Sequence, residues 1–474
     1  MHTRTLRTLL GAPLLMLALL LTACSGGSPS SSGGVTGTGV TQGPVNGFGS
    51  IIVNGIEINT DTATFTRDGV PAGSLTDFRV GEVVRVNWQL ADDGVTRIAQ
   101  DVGYESEIKG EVTDVANAAL GEISVLEQPV HITGLTVFKN FTLLTDLLQR
   151  DYVEVSGYRA DDGSIYASLI ELKGHVTLST SEAELNGVVQ NLSLSAFDIG
   201  TLTVSNYNVV SGTLSTDAFV RVKGTYSDTS KEIDTADVEV RGDSQAPSVD
   251  DGEDVEIEGL ITRYTSATDF DVSGLPVTTN GDTEFSDGGT LGLGVHVEVE
   301  GTFSGGKLVA EEISFRHETD IELVANLEAV DITASTVKAL GMTFLVDALT
   351  QLEDDGSTSA PTPFTLSGLN AGTDDVEIRG YRNGPSNLVA TRVVRLDEST
   401  EVELEGPITA LSDPTVTVVD FVLNTNTDAV TYEGGATNQS DFFLFANEGD
   451  IVELEGQQIP ISGIIDWATL KLDN

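Results

Sequence analysis

Along most of the chain, apolar and polar residues alternate one by one. The clearest stretch recurs as apolar-x-apolar-x-Gly: Val153-Glu154-Val155-Ser156-Gly157, Val220-Arg221-Val222-Lys223-Gly224, Val297-Glu298-Val299-Glu300-Gly301, Val376-Glu377-Ile378-Arg379-Gly380 and Val452-Glu453-Leu454-Glu455-Gly456. Val84-Arg85-Val86-Asn87 is an earlier relative, with Trp88 in the glycine place. A period of two marks a strand with one buried face. The Val, Ile and Thr content of these runs and the turn residues between them agree with that reading. Successive copies end 69, 67, 77, 79 and 76 residues apart. That is the signature of a repeat protein.

Two further elements keep the same order. Units two to six open on an acid with Gly or Ala at the fourth place: Glu107 to Gly110, Glu184 to Gly187, Glu256 to Gly259, Glu322 to Ala325 and Glu403 to Gly406. Unit one lacks this opening. Every unit closes on an Ala with a β-branched or apolar residue soon after it: Ala99, Ala167, Ala236, Ala310, Ala390 and Ala468. The predicted units are 44–106, 107–180, 181–247, 248–319, 320–399 and 400–474, each with about five short strands. So small a sheet must close on itself to bury a core and hide its edges. The expected fold class is all-β, a tandem array of about six OB-like five-stranded β-barrel modules. The best helical candidate, Phe138 to Arg150, covers only a few turns. One large transmembrane barrel is disfavoured, because strands of about five to seven residues fall short of the about 9–11 needed to cross. Aromatic girdles are also absent.

The N-terminus reads as an address. Arg4 and Arg7 precede an apolar run from Leu9 to Leu21, and Leu21-Thr22-Ala23-Cys24 follows. The apolar run is too short for a permanent span. The tetrapeptide resembles the bacterial lipobox, which implies cleavage after Ala23 and a lipid on Cys24. Ser25 in place of Asp points to the outer membrane of a Gram-negative cell. Residues 1–23 are then a lipoprotein signal peptide. Residues 24–43, nearly all Gly, Ser, Thr and Val, form a lipidated flexible tether.

Charge narrows the partners. The 474 residues hold 73 Asp and Glu against 24 Lys and Arg, a net charge of −49. Phosphate recognition needs clustered cations, so nucleic acid is excluded as a partner. The single Cys allows no internal disulfide. The same charge keeps an anchored array soluble and extended through self-repulsion. It could also hold divalent cations weakly and diffusely.

Candidate chemistry is sparse. Asp92-Asp93-Gly94 and Asp161-Asp162-Gly163 could offer Ca²⁺ its carboxylates, but equivalent slots hold Ser304-Gly305-Gly306 and Arg382-Asn383-Gly384-Pro385. What the slots share is turn chemistry. Asp250-Asp251-Gly252-Glu253-Asp254 reads as an acidic linker. His131, His175, His296 and His317 are scattered without zinc spacing. No Gly-x-Ser-x-Gly elbow occurs, and no spacing singles out a carboxylate pair for glycoside hydrolysis. A solvated acidic face accounts for the acids. The chain is expected to carry no catalytic, metal or cofactor-binding residue.

Gly49-Ser50-Ile51-Ile52-Val53-Asn54-Gly55-Ile56-Glu57-Ile58-Asn59-Thr60, then Ala63, Arg67-Asp68-Gly69 and Leu75-Thr76-Asp77-Phe78-Arg79-Val80-Gly81-Glu82-Val83-Val84-Arg85-Val86 resemble domain of unknown function 5666. Residues 47–104 carry the resemblance; later units share mainly the Val-x-Val-x-Gly and Ala elements. It implies a small extracytoplasmic β-barrel module and no reaction. The expected protein is a lipid-anchored, extracytoplasmic repeat protein with a non-catalytic binding or structural role, tied to the membrane through Cys24, with a protein or glycan ligand. The alternatives are a Ca²⁺-dependent adhesin-like or glycan-binding array and, more remotely, a secreted hydrolase.

Overall fold

The structure, a computed structural model, describes residues 37–48, 50–160, 162–242, 248–286, 289–317, 319–354, 364–384, 387–397, 399–428, 430–434, 436–458 and 465–472. Residues 1–23, expected to be a signal peptide, and Cys24 lie outside them. The chain from Val35 onward is one compact unit built from tandem small barrels.

Module 1 shows the plan. Its first strand, Thr38–Phe48, pairs antiparallel with the second, Ile51–Val53, and with the fourth, Val83–Leu90. The second pairs with the third, Ile56–Asn59, which runs parallel to the fifth, Arg97–Tyr104. The fifth returns antiparallel to the fourth and closes the ring. This is a five-stranded Greek-key barrel of the OB type. Module 2 (first strand Ile108–Asp114) and module 4 (Asp254–Ser266) repeat the ring. In module 3 (Thr180–Val188) a single bridge, Gln190 to Asp198, joins first and second strands. Modules 5 (Ile321–Asn326) and 6 (Glu401–Ser412) complete the series.

The repeated sequence elements are the bends of these barrels. In modules 2, 4 and 5 the Gly ending the fourth-strand motif sits at a register shift opposite the closing Ala: Gly157 faces Ala167, Gly301 faces Ala310 and Gly380 faces Ala390; in module 6 Gly456 faces Trp467, one residue before the expected Ala468. A Cβ at Gly301 would overlap the carbonyl oxygen of Val309, so the bulge needs a residue without one. Trp88 keeps the same shift, opposite Ala99, because its ring swings over Gly39 and its Nε1 donates to Thr41 Oγ1 at 3.0 Å.

Three expectations need correction. Residues 38–43, assigned to the tether, form strand; their glycines mark close packing, since the Asn54 side chain presses directly on Gly43. Gly43 stands where later units carry the Gly of the opening element, with Val40 in place of the acid. Strands are also longer than the expected five to seven residues. The fourth and fifth strands, including Asp151–Arg159 and Ile165–His175, run 8–11 residues and bend through bulges past the break in alternation. Phe138–Arg150 is not a helix: Val137–Lys139 is strand and Leu144–Asp146 a single 3-10 turn. Among the described residues the α-helix is Gln439–Phe445, capped by Asn438, whose side chain accepts from the Asp441 N–H.

Nor is the body an extended array. First strands pair across modules: Ile108 with Leu185 joins modules 2 and 3, Leu323 with Leu404 joins 5 and 6, and Val40 with Val255 joins 1 and 4 in parallel. Modules 2 and 3 share one apolar core and modules 5 and 6 another, whereas modules 1 and 4 keep separate cores. Burial of these cores outweighs the self-repulsion expected of the net charge.

Candidate functional site

The charged positions of the alternating strands, expected to face solvent, meet at module boundaries. Arg67 of module 1 binds Glu82 at 2.8 Å and Glu154 of module 2 at 3.1 Å, and its guanidinium lies 4.2 Å from the Tyr104 ring. Lys109 of module 2 bonds Asp68 of module 1 and reaches Glu154 at 3.4 Å. Arg221 of module 3 bonds Glu184 and reaches Asp68 at 3.3 Å. Glu154 is buried. Burial pushes its carboxyl up, but Lys109, Lys173 and Arg67 outweigh it and leave it below the usual carboxylate range. Such buried pairs need their full complement of partners.

Four modules also enclose a cavity of about 330 Å³, within the range of small-molecule sites. Module 1 contributes Pro44 and Asn46; module 2 contributes Leu135, Tyr158, Tyr166 and Ser168. Glu258, His296, Phe315 and Arg316 come from module 4, and Leu345, Gln351, Tyr381 and Asn383 from module 5. Asn46 is locked in place, donating to the Leu349 carbonyl at 3.2 Å and accepting from the Gly55 N–H at 3.1 Å. Two aromatic pairs stand on the wall: Tyr158 meets His296 edge-on at 5.1 Å, and His317 stacks on Tyr381 at 4.5 Å.

One side is a dense polar cluster. Arg316 Nε donates to Glu258 Oε2 at 2.8 Å, and Arg316 Nη2 lies 3.2 Å from Glu298 Oε2. The Tyr158 hydroxyl donates to Glu258 Oε1 at 3.3 Å, and His296 Nε2 stands 3.1 Å from the same oxygen. Burial pushes the Glu258 carboxyl up, but Arg316 and His296 overcome it and hold it at about 2. A carboxylate so firmly ionised suits electrostatic anchoring rather than proton donation. Arg316 Nη1 and Ser168 Oγ, both buried on this wall, have no hydrogen-bond partner among the described residues.

The acidic turns accept hydrogen bonds from backbone N–H groups. Asp93 Oδ1 accepts from the Val95 and Thr96 N–H groups at 2.9 and 2.8 Å. Asp162 accepts from the Ser164 N–H at 2.9 Å; Asp161 is outside the described residues. Asp251 accepts from Gly305 N–H at 3.0 Å, folding the acidic linker against module 4. The His131 ring lies tilted against Tyr166 at 5.1 Å, and His175 Nδ1 lies 2.8 Å from Asp151 Oδ1. His296 and His317, scattered in sequence, do come together, on the cavity wall. Sequence reasoning missed Tyr158, Glu258 and Arg316. The available signal was Phe315-Arg316-His317, an aromatic and basic cluster at the end of a fifth strand in a chain poor in both.

The family described as "Domain of unknown function (DUF5666)" matches in five tandem segments, residues 38–103, 109–171, 258–314, 327–394 and 405–460. These cover more than half of the chain, which therefore belongs to that family. Module 3 falls between matches yet keeps the same strand order. No curated protein matches the chain.

Proposed function

We propose that this member of the DUF5666 family is a lipid-anchored, extracytoplasmic binding protein without catalytic activity, whose tandem barrels form one body around a shared ligand cavity. The observation that carries the reading is the convergence of modules 1, 2, 4 and 5 on a space lined by aromatic and polar side chains. A string of independent scaffolding barrels has no need of such a space. The anchor is the lipid on Cys24, in an outer-membrane leaflet. The acidic exterior attracts divalent cations diffusely.

Two measurements test this. In a Gram-negative host, Cys24→Ser should abolish labelled palmitate incorporation and move the protein from membrane to soluble fraction. Titration with the neutral fluorophore 2-naphthol should saturate at one site on the wild-type chain and fail on Leu345→Trp, which fills the cavity from a residue 42% exposed. Equal binding by both proteins would refute the cavity as the binding site.

A further inference from the structure

We infer that the seam between modules 1 and 4 is a proton-held clasp: a proton shared by Glu256 and Glu298 keeps it shut, and loss of that proton loosens the wall of the central cavity. Its effect on the cavity rests on the reading of that cavity as the binding site; the clasp does not. The seam is thin. It consists of the parallel pairing of Gly39–Gln42 with Asp254–Ile257, and modules 1 and 4 keep separate cores on either side of it. The bodies around it are firmer. Modules 2 and 3 share a core, as do 5 and 6, and the two pairs meet in one register: Ile108 opposite Leu185, Leu323 opposite Leu404. Both strands of the seam run on into the cavity wall, one through Pro44 and Asn46 and the other through Glu258 and Leu260. Loosening the seam therefore loosens that wall.

Glu256 stands within the seam, paired with Thr41 of module 1 on one side and directly opposite Glu300 on the other. It is 4% exposed, and neither carboxyl oxygen accepts a hydrogen bond from a donor among the described residues. An ionised carboxylate buried in that way is costly. Its neighbours raise the cost. Asp254 and Glu258 lie two residues away on its own strand; Glu298, Glu300 and His296 are on the fourth strand, His296–Ser304, and Glu311 and Glu312 on the fifth, Lys307–Phe315. Module 1 answers with Arg97, whose guanidinium lies 4.9 Å from the Trp88 ring, while Arg316 is held by Glu258 and Glu298. Burial, then Glu298 and Glu300, push the Glu256 carboxyl well above the usual range despite Arg97. Burial raises Glu298 beside it, despite Arg316. Two carboxyls so close do not both ionise, and one proton between them makes the hydrogen bond.

Opening exposes Glu256, and an exposed glutamic acid titrates near 4.5. The closed seam thus holds the proton more tightly than the open one. The clasp contributes fully below pH ~4.5 and is lost as pH rises through the raised value, with opening growing by up to about tenfold per pH unit over that span.

The test is hydrogen–deuterium exchange of residues 24–474 carrying Cys24→Ser, from pH 5 to pH 9, with rates corrected for the intrinsic effect of pH. Protection of residues 39–42 and 254–257 should fall by about tenfold or more across the range, while that of Ile108–Asp114 stays level. Glu256→Gln puts in an amide that donates to Glu298 at every pH, so its protection should stay level at the acid value. Glu300→Gln, which removes the carboxylate opposite, should shrink the fall. A level profile in the parent chain, or an equal fall in Glu256→Gln, would overturn the clasp. If Glu256→Gln does not fold, an undiminished fall in Glu300→Gln overturns it instead. For the cavity, stopped-flow association of 2-naphthol should be faster at pH 8 than at pH 5 in the parent chain and equal at both in Glu256→Gln. Equal entry in the parent, or faster entry in both proteins, would overturn the effect on the cavity. If 2-naphthol binds at neither pH, the cavity reading fails and that effect with it, while the exchange profile still decides the clasp.

Discussion

Two module boundaries use the same strands and reach opposite electrostatic balances. Where modules 1, 2 and 3 meet, Arg67, Lys109, Lys173, Arg221 and Lys223 face Asp68, Glu82, Glu154, Glu171 and Glu184, cation for carboxylate. Where modules 5 and 6 meet, Glu322 lies opposite Glu405, Glu403 opposite Glu455, and Glu405 opposite Glu453. Arg379 pairs with Glu322 and Lys471 with Glu453. Like charges directly opposite on a sheet face repel. The second boundary holds because its other face is apolar: Leu323, Leu404 and Leu454 belong to the core that modules 5 and 6 share. In the first, the ion pairs reach into module 1, whose apolar core is separate. Charge thus specifies one contact and is merely tolerated in the other.

The largest expected effect breaks the balanced boundary. Glu154→Lys places a cation among Arg67, Lys109 and Lys173 and should cost about 3–5 kcal/mol in urea unfolding. A cost under 1 kcal/mol would mean that the network does not hold modules 1 and 2 together.

The acid dependence of the two boundaries has opposite sign. Glu154 titrates below its unfolded value, so its contribution is present above pH ~4.5 and lost as pH falls through the folded pKa. Glu403 is pushed up to about 7 by burial and then by Glu322, Glu453 and Glu405. Its contribution is full below pH ~4.5 and declines as pH rises through about 7. Measured against wild type, the deficit of Glu154→Gln should therefore shrink on acidification below pH 4. The gain of Glu403→Gln should be nil at pH 4.5 and grow to about 1 kcal/mol at pH 8. Parallel pH profiles for the two variants would contradict the contrast.

The smallest effect is that of salt. Raising NaCl from 0.05 to 0.5 M should slow hydrogen exchange in the first strands of modules 5 and 6, where repulsion is screened. It should leave the buried Glu154 network nearly unchanged, since buried pairs are screened less. Faster exchange at the 5–6 boundary in salt would count against repulsion there.

The barrel was legible in the sequence because its constraints are local. Val-x-Val alternation requires one buried face, and the Gly and Ala elements are the two sides of a bulge, as Gly301 and Ala310 show. Gly39 and Gly43 were misread because composition cannot separate a flexible glycine from one pressed by Trp88 or Asn54. The polar face of each strand was misread for a related reason. Alternation says that Glu154 and Glu258 point away from their own core, not whether solvent or another module lies there. The cavity was illegible because Ser168, Arg316 and Leu345 belong to three modules, and only tertiary packing brings them together.

The central claim, that the modules form one body and not a string, is tested most directly by small-angle X-ray scattering of residues 24–474 carrying Cys24→Ser. A compact chain of this length has a radius of gyration of ~22 Å, and the account predicts a value within a few ångströms of it. A value above ~35 Å, as for six barrels of ~11 Å each strung end to end, would contradict the account and remove the shared cavity with it.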